Sequence, residues 1–235
     1  MQDFAAAFAE AFRLILSFDP ELGEIVALSL QVSLSAVLIA AAVGLPVGAV
    51  LAVSHFPGRG AAVVVLNALM GLPPVVVGLV VYLLLSRAGP LGEYGLLYTP
   101  TAMVFAQAIL VAPIVAAVSR QTIEDLWSEY EDQLRAFGVS RWGMVKTLIW
   151  DARYSLLTAL LAGFGRAVAE VGAVIIVGGN INHVTRVMTT TIALETSKGN
   201  LSLALGLGIV LVAITIAVNA AVMGLRLSAS RLAYA

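Results

Sequence analysis

Long runs without a charged side chain dominate this chain and set the spacing of everything else. No Asp, Glu, Lys or Arg occurs from Ile25 to Ser54, from Gly60 to Ser86, from Tyr94 to Ser119 or from Gly199 to Leu225. Each run exceeds the roughly 20 residues with which a helix crosses about 30 Å of hydrocarbon. A fifth apolar stretch, from Tyr154 to Val177, is interrupted only by Arg166 and Glu170. A lipid-embedded backbone must satisfy its own hydrogen bonds, and nothing here alternates at period two as a barrel strand does. The pattern therefore predicts an all-α membrane protein with five spanning helices. Ahead of them, within residues 1–20, Phe4, Phe8, Phe12, Ile15 and Leu16 recur at helical spacing. That segment lacks the basic start and cleavage site of a signal peptide and is short for a span, which predicts an interfacial helix. Asp19, Glu21 and Glu24 separate it from the first span.

Composition agrees with this pattern and narrows the chemistry. Of 235 residues 60% are hydrophobic and 11% charged, more apolar surface than a soluble core of that size hides. With no cysteine there are no disulfides, thiolate metal sites or cysteine nucleophiles, and His55 and His183 stand apart from any metal-ligand cluster. A net charge of -1 offers no basic face for nucleic acid.

Basic residues choose the orientation, because cytoplasmic loops carry an excess of Lys and Arg. Arg59, Arg120, Arg135, Arg141, Lys146, Arg153, Arg226 and Arg231 fall on one side of five spans, and Arg13, Arg87, Arg186 and Lys198 on the other. Eight against four places the N-terminus outside, the C-terminus in the cytoplasm and residues 119–153 in a cytoplasmic loop. That loop concentrates charge, with Leu134, Phe137 and Trp142 among the acids and bases and Gly138 placed for a turn between two short helices. Its apolar groups serve either loop packing or the docking of a soluble partner. The chain reads as a single domain over 1–235, with no further domain after Arg231.

Chemistry-bearing groups are few. No Gly-x-x-x-x-Gly-Lys-Ser/Thr loop occurs, so ATP that powers this chain is bound by another. Neither a Gly-x-Ser-x-Gly elbow nor a His-Glu-x-x-His pair is present, and no catalytic set supports an enzyme reading. Arg166 and Glu170 are four apart, which puts them on one face of one helix and within reach of each other, either as an orienting salt bridge or as a gate. Gly44-Leu45-Pro46, Gly71-Leu72-Pro73-Pro74, Ala112-Pro113 and Gly178-Gly179-Asn180 predict kinked or broken helices, which either mark a substrate path or are plain kinks. Between Asn180 and Asn200, Asn182, Thr185, Arg186, Thr189, Thr190, Thr191, Thr196 and Ser197 form either a donor set suited to an oxyanion or an ordinary polar loop.

The segment Asp132-Gln133-Leu134-Arg135-Ala136-Phe137-Gly138 resembles, in its acid-to-glycine spacing, the Glu-Ala-Ala signature of type I ABC importer permeases. It departs from the signature at Asp132 and at Gln133-Leu134, and Trp150-Asp151 stand where the family has Leu-Pro. A wider likeness to the tungstate permease branch runs through Leu69-Met70-Gly71-Leu72-Pro73-Pro74-Val75-Val76-Val77-Gly78, Gly89-Pro90-Leu91-Gly92 and Tyr98-Thr99-Pro100-Thr101-Ala102. It continues in Gly165 to Ala173, in Val177-Gly178-Gly179-Asn180-Ile181 and in Thr191 to Gly199, where molybdate permeases are also similar. The resemblance implies a permease that moves a tetrahedral oxyanion by alternating access, tungstate first and molybdate or sulfate as alternatives. It implies a homodimer, two cytoplasmic ATPase subunits that hold ATP and Mg, and an external substrate-binding protein; this chain binds no cofactor of its own. Asp132, Leu134, Arg135, Ala136, Phe137, Gly138, Val139 and Trp142 would meet the ATPase, Arg166 and Glu170 would form the gate, and Pro73, Pro74, Asn180 and Arg186 would line the pore or external gate. A stand-alone secondary transporter and a membrane scaffold are the competing classes; the first would need its own coupling-ion site, and only one intramembrane acid is present.

Overall fold

A computed structural model describes the backbone of residues 4–17 and 19–233 and the side chains of 8–17 and 19–224. Phe4, Arg226 and Arg231 have side chains outside that set, and Met1 and Phe18 lie outside the described residues altogether. All regular structure among the described residues is helical: α1 (Phe4–Leu16), α2 (Pro20–Val53), α3 (Arg59–Met70), α4 (Pro74–Leu85), a 3-10 turn (Gly92–Tyr94), α5 (Pro100–Ala136), α6 (Arg141–Asp151), α7 (Arg153–Val168), α8 (Gly172–Gly178), α9 (Met188–Lys198) and α10 (Leu201–Ala233). Three helices, α2, α5 and α10, are each long and apolar enough to cross a membrane. The pairs α3/α4 and α7/α8 qualify as bent spans, giving up to five.

The breaks differ from the sequence expectation in an instructive way. Helix α2 runs through Pro46 and α5 through Pro113 without ending. A proline inside a helix removes one N–H and releases the carbonyl four residues back, which neighbouring helices and local adjustment accommodate in membrane proteins. One break falls at Gly71–Pro73, within the predicted Gly71-Leu72-Pro73-Pro74 run, where Pro73 is extended before Pro74 opens α4; the other falls at Ala169–Val171, where no Gly or Pro stands. Helix α5 also outruns its apolar stretch. From Ile114 to Ala136 it meets no Gly or Pro, so the first half of the charged segment is the end of a 37-residue helix rather than a separate short one.

Two compact units emerge. The first comprises the described parts of Met1–Ser35, Pro73–Gln107 and Val168–Asn219. In it Leu22, Ile25, Met188 and Leu207 form a buried cluster against which Leu14 and Ile15 of α1 pack, while Phe12 and Leu16 of the same helix remain exposed. Helices α4 and α8 lie side by side in one direction. A Cβ on Gly172 would sit 3.1 Å from Val75, and one on Gly78 would sit 2.8 Å from the Ala173 Cα, so this approach needs the missing side chain at Gly78.

The second unit comprises Ala36–Leu72, Ala108–Ala167 and the described part of Ala220–Ala235. Here α2 crosses α5 through Gly44 and Gly48: a Cβ on Gly48 would run into the Ala116 carbonyl and lie 2.9 Å from Ser119 Cβ. Small residues four apart let two backbones touch where lipid offers no hydrophobic drive between helices. Below the crossing, Ala49, Ala52, Ile123, Trp127, Met144, Val145, Leu148, Ala152 and Leu156 close a buried core around α6.

Candidate functional site

Two places concentrate the chemistry, one in each unit. In the first unit, the break before α8 leaves Glu170 outside any helix. The expectation that Arg166 and Glu170 share one helical face is thereby corrected: Arg166 stands in the last turn of α7, which ends at Val168, and Glu170 follows that end. The Glu170 side chain is 2% exposed, and its Oε1 accepts the Ala173 N–H at 3.0 Å. It supplies the α8 terminus with an acceptor that sequence punctuation does not provide. The Glu170 carbonyl accepts the Thr189 hydroxyl at 2.8 Å, which ties the break to the first turn of α9.

Pro73 and Pro74 belong to the same neighbourhood. Pro74 Cβ lies 3.4 Å from where a Cβ on Gly172 would be, so the starts of α4 and α8 meet immediately beyond Glu170. Next to them Ser29, Ser33, Gln107, Val168 and Thr189 line a cavity of about 10 Å³, near the least that holds one water. Ser29 donates to the Ile25 carbonyl at 2.7 Å and accepts the Met188 N–H at 2.8 Å. Sequence reading passed over Ser29, Ser33 and Gln107; the available signal was polar side chains within charge-free spans, two of them four apart on α2.

The Asn180–Asn200 stretch is largely built rather than open. Residues 188–198 form α9, and Thr185, Thr190 and Thr191 are fully buried. Thr185 donates to the Gly178 carbonyl at 2.5 Å, Thr191 to the Val187 carbonyl at 2.7 Å, and Thr190 to Asn180 Oδ1 at 3.0 Å. These hydroxyls lock the chain after the Gly179 turn, with Asn180 itself at φ 50°. Arg186 reaches Glu21 Oε1 at 3.3 Å and His183 Nδ1 lies 2.7 Å from Glu24, so both fasten to the start of α2. Lys198 and Asn200 hydrogen-bond Glu195, at 2.8 and 2.9 Å, and that pairing holds its carboxyl below the usual range.

In the second unit, the turn from α5 to α6 presents an aromatic edge. Gly138 adopts φ 65°, a region that suits glycine, and reverses the chain between Ala136 and Ser140. Ser140 caps α6 by accepting the Gly143 N–H at 3.2 Å. Leu134 and Val139 pack onto the core, Arg135 lies 5.9 Å over the Trp127 ring and pairs with Glu131, and Asp132 and Ala136 are exposed. Phe137 is 81% and Trp142 67% exposed, with Trp150 nearby in sequence at 71%. Large aromatic groups held outward on a packed base suit a partner surface. The base is anchored by Glu124, which pairs with Arg120 one turn earlier and with Arg59 of α3 at 2.7 Å.

Comparison with known proteins adds sequence-wide likeness. Residues 44–230 match the family described as binding-protein-dependent transport system inner membrane component. The chain is 42% identical over 226 residues to the tungstate uptake system permease protein TupB of Peptoclostridium acidaminophilum, covering 96% of this chain and 99% of that one. It is 43% identical over 201 residues to a probable anion ABC transporter permease protein of Haloferax volcanii, covering 83% and 87%. The molybdenum transport system permease protein ModB of Escherichia coli is 29% identical over 182 residues, covering 74% and 79%.

Proposed function

From the premise that this chain belongs to the binding-protein-dependent transport system inner membrane components, we propose that it carries tungstate across the membrane as the permease of an ATP-driven importer. It is a transport subunit of a multi-pass membrane complex. Molybdate and sulfate are the neighbouring substrate choices, because they share the tetrahedral array of acceptor oxygens.

The working complex is a pair of these chains on two cytoplasmic ATPase subunits, which hold ATP and Mg, with an external binding protein delivering the anion. The N-terminus lies outside and the C-terminus inside. The excess of Lys and Arg on one side supports that sidedness, and two contacts agree with the grouping of loops by side: Arg59 meets Glu124, and Arg186 meets Glu21. Closure of the ATPase dimer pushes on the turn formed by Asp132, Leu134, Arg135, Ala136, Phe137, Gly138, Val139 and Trp142. ATP drives the change only by favouring one global state over the other, since equal affinity for both would shift nothing.

One observation carries this reading: the same 37-residue helix that crosses the apolar region ends at the exposed aromatic turn. A push on the turn is thereby delivered to the span itself. Within the membrane, the starts of α4 and α8 lie together at Pro74 and Gly172, and such helix breaks line the path in transporters. Asn180 and Arg186 hold the outer gate in place, and the threonines around them brace it.

The test is uptake into vesicles containing this chain, its candidate ATPase and the external protein. Accumulation of tungstate that requires ATP is expected, with molybdate and sulfate measured alongside. Uptake driven by an ion gradient without the ATPase would replace this reading with that of a secondary transporter.

A further inference from the structure

We propose that the loop following α4 forms an anion site, separate from the helix breaks, which binds a tetrahedral oxyanion group through Arg87. The inference rests on the permease reading for the site's placement on the outer face. A cavity of about 740 Å³ opens there, lined by Tyr82, Ser86, Arg87, Ala88 and Tyr98 among others. That volume falls in the range of about 300–1,000 Å³ typical of small-molecule sites.

Charge and donors agree. Arg87 is exposed and, among the described residues, has no acidic partner, unlike Arg13, Arg59, Arg120, Arg135 and Arg186, each of which is ion-paired. No acid lines the cavity; Glu93 belongs to the loop but is not among the lining residues. Three hydroxyl-bearing side chains, Tyr82, Ser86 and Tyr98, share the lining, but Ser86 donates to the Leu83 carbonyl at 3.1 Å and the two tyrosines hydrogen-bond each other, so the Arg87 guanidinium is the donor left for an anion that only accepts hydrogen bonds.

The wall is preorganised. Gly89 donates to the Ser86 carbonyl at 2.7 Å, Leu91 to the Leu84 carbonyl at 3.0 Å and Gly92 to the Gly89 carbonyl at 3.1 Å. Gly92 lies so close that an added Cβ would run into the Ser86 carbonyl, which presses the loop onto the end of α4. Tyr98 is held from two directions, by its N–H to the Val177 carbonyl at 2.9 Å and by an edge-on contact with Tyr82, ring centres 6.4 Å apart. It adopts φ 61°, an uncommon backbone state for a residue with a side chain. Gly92 of the Gly89-Pro90-Leu91-Gly92 motif and Tyr98 of the Tyr98-Thr99-Pro100 motif thus line one cavity.

The same chemistry admits a free oxyanion or the phosphate of a lipid headgroup, and the experiment separates them. Purified full-length chain, without ATPase or binding protein, is dialysed against tungstate, and bound tungsten is measured for wild type, Arg87→Gln, Arg87→Lys and Tyr98→Phe. Arg87→Gln is expected to weaken retention by about tenfold or more, Arg87→Lys to restore part of it and Tyr98→Phe to fall between. A second arm measures retention of a short-chain phosphatidylglycerol by the same proteins. Tungstate retention that depends on Arg87 assigns the site to a free oxyanion, and lipid retention alone that depends on Arg87 assigns it to a headgroup. Retention of both ligands equal in wild type and Arg87→Gln, with unchanged melting, overturns the site. ATP-driven uptake is scored separately: intact uptake beside Arg87-independent binding removes this site and leaves the permease reading standing.

Discussion

Glu170 shows how one side chain can cap the start of a helix. Its carboxylate takes the Ala173 N–H, so the chain gains an acceptor at Ala169–Val171 without a glycine or proline. Glu170→Gln keeps an oxygen for that bond and removes the charge, which separates anchoring from gating. With the gate proposal, the variant assembles normally by size-exclusion chromatography, and its ATP-dependent uptake falls about tenfold or more, the scale of one lost charged interaction. Normal uptake would leave Glu170 with a purely structural part. The i, i+4 reading of Arg166 and Glu170 was sound arithmetic on a helix that does not extend that far. Similarly, the threonines between Asn180 and Asn200 were legible as donors, but their acceptors, Gly178, Val187, Asn180 and Glu170, could be identified only in the folded chain.

At the level of elements, close crossings determine which glycines matter. Gly48→Leu forces a side chain into the Ala116 carbonyl and should lower stability by about 1–3 kcal/mol, as overpacking does, read as a lower melting temperature in detergent. Gly60→Ala, where nothing lies within 4 Å, serves as the control and should melt as wild type. The end of α9 gives a pH signature. Glu195 has its pKa lowered chiefly by the hydrogen bond from Lys198, so its pairing stabilises the fold above the ordinary carboxylate pKa and fades as pH falls through the lowered value. Glu195→Gln should therefore melt below wild type near neutral pH, and the gap should close in acid. A gap that widens in acid would contradict the sign. The spans themselves were legible because hydrophobicity is written locally, whereas whether Pro46 and Pro113 kink or break a helix was not, and both are carried within helices.

For the molecule as a whole, the aromatic turn is where external work would enter. Phe137→Ala combined with Trp142→Ala removes two outward groups that the core does not use, so the fold should hold while association with the ATPase weakens by at least about tenfold. Co-purification with the ATPase, followed by ATP-dependent uptake, reads the effect; full retention of both would exclude this turn as the contact. Sequence alone determined the helical membrane class, the apolar runs from which three to five candidate spans form, the charged 119–153 segment and the family. Those follow from apolar run length, charge and motif, each a property of residues adjacent in the chain. Only the tertiary structure decided that α4 and α8 start together, that Glu170 caps a break, that Gly48 is a crossing point and that Arg87 faces a cavity without an acid. Each of these depends on groups far apart in sequence, and a backbone atom or buried carboxylate reveals its partner only after the chain has closed around it.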